Sequence, residues 1–254
     1  MENDAISGCL YLDSCVLLSE ILEQNKSRMS KFKNDVKQYN ITCYVSQGVI
    51  DECKEKLEKT TDFLGNILRD TIVVYLEGIR TNPRDLSCTE PSNEDLHIIE
   101  ETFLTVNQAA REFDLVSDPF QAVEEWVVAE LEREMRRSKK SSIGDLVLKL
   151  TAVIMKEIND LESDFERIVE LEADYIIKST QAPCAEIRDI LVQNGIHRPD
   201  ADHISVIESH RRNLGGKAIF LTFDYKSIIL RAKMIRRLTN IDCCDPLYGV
   251  SYLR

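Results

Sequence analysis

Short runs of β-branched and apolar residues lie near both ends of the chain, and between them apolar residues recur every three or four positions. Residues 9–12, bounded by Gly8 and Asp13, read as a buried strand, and residues 41–45, 218–222 and 241–244 read the same way. Helical spacing follows them at residues 16–23 and 26–39. Ser46, placed as an N-cap, opens a helix through Leu57. Pro199 and Asp200 open another that runs to about Asn213 and stops at Leu214-Gly215-Gly216, and residues 226–237 form one more. Strands alternating with helices predict a parallel sheet covered on both faces.

The middle of the chain has almost no strand signal. Residues 62–77, 94–113 and 121–139 read as helices, separated by loops containing Pro83, Pro91 and Pro119. Residues 145–181 hold neither glycine nor proline. There Leu146, Leu150, Ile154, Ile158, Leu161, Phe165, Ile168 and Tyr175 form one helical stripe, and an unbroken helix would span roughly 50 Å. The short stretch 113–116 is the candidate for a fifth strand. The expected fold class is therefore α/β, a doubly wound parallel sheet built from residues 1–58 and 193–254 and interrupted by a large all-α insertion at 59–192.

Composition narrows the classes of function. At 43% hydrophobic residues the chain can build a substantial core. Its 32 basic residues face 44 acidic ones, a formal net charge of −12, so a broad basic face gripping duplex nucleic acid is excluded. Any nucleic-acid role must be local to a site. No apolar run approaches a membrane span, and residues 9–18 are interrupted by Asp13 and preceded by Glu2 and Asp4, unlike a secretory signal. The eight cysteines include no CxxC, which suits reduced thiols and a cytoplasmic protein with no membrane partner. Phosphate loops, GxGxxG, GxSxG and HExxH are all lacking.

Three acids fall by sequence at the carboxyl edge of the expected sheet, where parallel α/β folds collect ligands. Asp13 follows the first strand, Asp224 follows the strand at 218–222, and Glu52 lies in the second turn of the helix after the second strand. Asp200 opens the helix that feeds the Asp224 strand. Each alone is explained as a cap, a turn residue or a solvated helix position. Together they suit a divalent cation, because converging carboxylates repel one another and Mg²⁺ or Mn²⁺ accepts oxygen ligands.

The segments Tyr11-Leu-Asp-Ser-Cys-Val-Leu-Leu18, Val49-Ile-Asp-Glu-Cys-Lys-Glu-Lys-Leu57, Asp200-Ala-Asp-His-Ile-Ser205 and Phe220-Leu-Thr-Phe-Asp224 resemble, in order, the motifs of the PIN-domain nucleases. The resemblance covers about residues 9–58 and 193–247. It implies a PIN-like sheet, a Mg²⁺- or Mn²⁺-dependent phosphodiesterase, and hydrolysis of RNA ahead of DNA, as in the VapC-type toxins of toxin–antitoxin pairs. Asp13, Glu52, Asp200 and Asp224 would be catalytic and hold the metal, with Asp202 as a further ligand. Ser14, Thr222 and His203 would be accessory. A protein antitoxin or a second copy of the chain is the protein partner this implies, with the insertion covering the site, binding substrate or mediating assembly.

Basic residues concentrate at Arg133, Arg136, Arg137, Lys139 and Lys140, where the last four would bind substrate, and again at Arg231, Lys233, Arg236 and Arg237. Helix C-termini attract cations for local reasons too. Two rival readings remain: a catalytically inactive PIN-like interaction module, and an α-helical scaffold whose acids are caps and surface charge.

Overall fold

The fold was analysed in a computed structural model, which describes residues 8–22, 26–81, 90, 100, 108, 112–113, 115–137, 141–171 and 174–253. The elements in chain order are β1 (Gly8–Leu12), α1 (Ser14–Ile21), α2 (Lys26–Gln38), β2 (Cys43–Ser46), α3 (Gln47–Thr81), α4 (Ser117–Arg136), α5 (Ile143–Glu170), β3 (Ile176–Ser179), α6 (Ala185–Gln193), α7 (Arg198–Leu214), β4 (Lys217–Leu221), α8 (Ala232–Thr239), β5 (Ile241–Cys244) and α9 (Pro246–Leu253), with a 3₁₀ turn at Ile229–Arg231.

The chain divides into two compact units. One comprises residues 1–54 and 166–254, the other residues 55–165. The first is mixed α/β, with a five-stranded, all-parallel sheet in the order β3-β2-β1-β4-β5. The order reverses at β1. The chain builds outward through β2 and β3, then returns to place β4 and β5 on the other side. Strand side chains alternate between two apolar layers, as a sheet buried on both faces requires. Tyr11, Ala218, Phe220, Ile241 and Cys243 pack with Ile187 and Leu191 of α6, Ile204 and Ile207 of α7, and Ile235 of α8. The alternate residues Ile219 and Leu221 are also buried, and α9 comes so close that a Cβ on Gly249 would lie 2.7 Å from Leu221 Cδ2.

The fifth strand is β3 and not residues 113–116. Ile176–Ser179 pairs in parallel with β2 from Cys43↔Ile176 to Ser46↔Ser179. Val116 instead precedes α4 and donates its N–H to Thr60 Oγ1 at 3.0 Å. The apolar stripe concealed β3, because Ile176 continues the three- and four-residue spacing of α5. The helix ends where Leu171 takes φ 49°, a left-handed conformation that no glycine announces. The expected insertion at 59–192 takes in β3 and α6, which lie in the α/β unit.

The second unit contains the rest of α3, α4 and most of α5. The helices expected at 46–57 and 62–77 are one continuous helix, α3. Leu57 and Leu64 are buried, as are Phe120, Val123, Val127 and Leu131 of α4 and Leu146, Leu150, Ile154, Ile158 and Leu161 of α5. Phe63 meets Phe120 edge-on at 5.6 Å between ring centres. The helix expected at 94–113 lies almost wholly outside the described residues. Among the described residues no helix is long and apolar enough to cross a membrane, and Cys9, Cys15, Cys43, Cys53, Cys184, Cys243 and Cys244 are free thiols.

Candidate functional site

β1 and β4 are neighbours, and their carboxyl ends lie at the point where the strand order reverses, the place at which open α/β sheets bind ligands. Asp13 leaves β1 there. Its backbone N–H bonds Leu221 O at 3.0 Å, which ties it to the end of β4. Its side chain caps α1 by accepting Ser14 N–H at 2.8 Å, so the local capping reading is correct as far as it goes. The other carboxylate oxygen accepts the Thr222 hydroxyl at 2.5 Å and lies 3.4 Å from Cys15 Sγ. Thr222 Oγ1 in turn accepts Asp224 N–H at 2.9 Å. One threonine thus bonds the carboxylate of Asp13 and the backbone of Asp224.

A second chain of bonds leads to Glu52. Ser14 donates its hydroxyl to Glu52 Oε1 at 2.7 Å, and His203 Nε2 meets Glu52 Oε2 at 3.1 Å. His203 Nδ1 lies 3.4 Å from Ser46 Oγ, which also accepts Val49 N–H and so caps α3. Gly48 admits the imidazole: a Cβ there would stand 3.1 Å from His203 Cε1. Ser46 and His203 were legible as a cap and a nearby ring. Gly48 carried no signal, because its neighbour comes from α7, over 150 positions away.

Electrostatics gather the same residues. Burial pushes the Asp13 carboxyl up from its ordinary range, opposed by the Thr222 hydroxyl, the His203 charge and the Ser14 N–H. Asp200 is half-buried at the start of α7. Burial first, then the charges of Asp13 and Asp224, push its carboxyl up to about 6, with Glu52 adding to this and His203 opposing it. Burial lowers the basicity of His203, but the Glu52 bond and the charges of Asp13, Glu52 and Asp200 outweigh it and raise the imidazole above its usual value. Asp224 also caps the turn that follows it, accepting Ser227 N–H at 2.8 Å.

Asp202 is not brought into this circuit. It is 37% exposed and stands 3.7 Å from Arg188 Nη1. The basic cluster of α4 is largely occupied. Arg136 pairs with Glu132 at 3.0 Å, Arg133 with Glu130, and Arg137 with the fully buried Glu134 at 2.5 Å. These are contacts within one helix, three or four residues apart. Lys139 and Lys140 lie outside the described residues. In the second cluster, Arg236 pairs with Asp242 at 3.1 Å, and Arg231 bonds Ser227 O.

The donor chemistry suits a hard divalent cation. Asp13, Glu52, Asp200 and Asp224 offer only oxygens, and of the causes that raise Asp200, burial first and then the charges of Asp13, Asp224 and Glu52, such an ion offsets the second. Among the described residues, however, no three acid, histidine or cysteine side chains are gathered at metal-gripping distance. No family model, curated protein or solved structure matches this chain.

Proposed function

We propose that the chain is a metal-dependent phosphodiesterase acting on nucleic acid, with RNA ahead of DNA, and that its α/β unit is PIN-like. The observation that carries this reading is the hydrogen-bonded circuit Asp224–Thr222–Asp13–Ser14–Glu52–His203, which ties acids from β1, α3 and the end of β4 at one sheet edge. Asp13, Glu52, Asp200 and Asp224 would hold Mg²⁺ or Mn²⁺, which supplies charge neutralisation and an acidified water when bound. The protein's own part is orientation. Thr222 fixes the carboxylate of Asp13, Ser14 that of Glu52, and His203 aims Glu52. The sequence resemblance supports RNA as substrate, and an antitoxin or second copy as partner.

The test is cleavage of labelled RNA and DNA oligonucleotides by the purified chain in Mn²⁺, in Mg²⁺ and in chelator, with Asp13→Asn alongside. Metal-dependent cleavage lost in Asp13→Asn is the expected result. Melting provides a second readout. An ion at about a hundred times its Kd adds ~2.7 kcal/mol to the native state, so millimolar Mn²⁺ should raise the wild-type Tm by several degrees and that of Asp13→Asn by less. Equal shifts in both, or none, would count against a shared site.

Gly48 offers a finer test of orientation. An alanine there must push the imidazole by a few tenths of an ångström. Gly48→Ala should lower kcat about tenfold, in the range of lost second-layer support for a metal ligand. Its thermal melt should stay close to wild type, since alanine favours helix more than glycine does. Unchanged kcat would mean that Glu52 does not depend on His203.

One observation favours a second reading, a non-catalytic module on the same fold: the acids stand apart in the described structure. Absence of both a metal-induced Tm shift and cleavage would leave that reading in place.

A further inference from the structure

In the sequence the candidate site acid Asp224 stands between two aromatic residues, Phe223 and Tyr225, and Lys226 follows them. The segment is held firmly. Phe223 N–H bonds Cys15 Sγ at 3.2 Å, Asp224 N–H bonds Thr222 Oγ1, and Asp224 O accepts the N–H groups of Ile228 and Ile229 at 3.3 and 3.1 Å. Its side chains are nonetheless accessible. Tyr225 is 64% exposed and makes no ring contact or side-chain hydrogen bond among the described residues. Phe223 is partly exposed, with the guanidinium of Arg28 over its ring at 6.0 Å. Arg28 is itself exposed and paired with Asp245 at 3.2 Å, while Lys226 is exposed and has no ion pair among the described residues.

Accessible aromatic rings with cations beside them, on a backbone already held by hydrogen bonds, suit an unpaired nucleic-acid strand. Bases stack on the rings whatever their identity, and the cations meet the phosphates. A duplex hides its base faces and would have only its phosphates to offer, in a protein of net charge −12. We infer that Phe223, Tyr225 and Lys226, with Arg28 beside them, form a stacking rail that holds a single strand next to Asp224. The inference takes its ligand from the nuclease reading above and adds which strand form is bound and which residues bind it.

The experiment is fluorescence anisotropy with a labelled oligouridine and with the same strand annealed to oligoadenosine, in chelator, for the wild type, Tyr225→Ala and Tyr225→Phe. Cleavage of the single strand in Mn²⁺ is measured in parallel. The wild type is expected to bind the single strand at least about tenfold more tightly than the duplex. Tyr225→Ala should weaken that binding about tenfold and raise KM to match, and Tyr225→Phe should restore most of it. Because Tyr225 is exposed, a melting curve equal to wild type in Tyr225→Ala excludes unfolding as the cause. Equal binding by Tyr225→Ala and wild type, or preference for the duplex, overturns the rail and leaves any observed cleavage standing. Loss of binding in Tyr225→Ala with no wild-type cleavage keeps the rail and removes the nuclease reading. A wild type that binds neither strand form overturns the rail.

Discussion

Asp200→Asn is expected to lower metal-dependent cleavage by at least about a hundredfold, while Asp202→Asn keeps most of it. Loss of a supporting contact to a metal ligand already costs roughly 10–100-fold, and loss of a ligand costs more. The two positions are separated by about 200° of helical rotation, so one face of α7 cannot present both. Asp200 shares an electrostatic environment with Asp13, Asp224, Glu52 and His203, whereas Asp202 stands at Arg188. Asparagine keeps the size of Asp200 and removes one of several like charges, so the metal-free variant should melt no lower than wild type. Single-turnover cleavage by folded, metal-loaded protein decides the ranking. A reversed order would mean that Asp202 carries the function assigned to Asp200. Full activity in both variants would remove the proposed mechanism.

Glu208→Gln should destabilise the α/β unit by ~1–2 kcal/mol at neutral pH, a loss that shrinks in acid. Glu208 is buried on α7. It accepts Arg211 Nε and Nη2 at 2.7 and 2.9 Å and Arg212 Nε at 2.8 Å. Burial alone would raise its carboxyl, but the bonds and charges of Arg211 and Arg212 outweigh burial and hold it below the usual value. A carboxyl lowered on folding stabilises the native state above its unfolded pKa, and that stability is lost as pH falls through the lower, folded value. The wild type should therefore lose this contribution below about pH 4.5. Urea melts of both proteins at pH 7 and pH 3 check it: the gap between them should narrow in acid. A gap independent of pH would assign the cost to packing. The arginines are partly exposed, at 21% and 51%, so water solvates them once the carboxylate is gone, and the figure stays below that of a fully buried pair.

Much of the α/β unit was legible because its signals are local. Gly8, Asp13 and Asp245 punctuate short apolar runs, and β5 falls where its β-branched and cysteine residues place it, at Ile241–Cys244. The start of α7 at Arg198–Pro199 and its stop at Gly215, with φ 73°, follow from proline and glycine chemistry that any window of a few residues contains. The buried stripe of α5 was equally plain in its spacing. The acids at the strand ends were found by the same means. A parallel sheet exposes its carboxyl edge whatever the remainder of the chain does.

Tertiary structure decided what depends on partners distant in sequence. Four residues, Ile176–Ser179, become a strand because β2 has an open edge to pair with. Their own spacing fits the end of a helix as well as a strand. Helical rotation already turns Asp200 and Asp202 to different faces, but their neighbours, the other acids for one and Arg188 for the other, come only from the packing of α7. The cations at the end of α4 fit helix-end charge or phosphate binding in the sequence, and the ion pairs of Arg133, Arg136 and Arg137 with Glu130, Glu132 and Glu134 are added by the structure. Thr222, Ser14 and Gly48 acquire their roles across 209, 38 and some 155 positions. The chain by itself determined which residues are charged, rigid or apolar and where short elements start and stop, since those depend on neighbours a few bonds away. Which carboxylates share one sheet edge, and what holds each of them, was decided only when β1, β4, α3 and α7 were packed together, because hydrogen bonds and charge repulsion act through space.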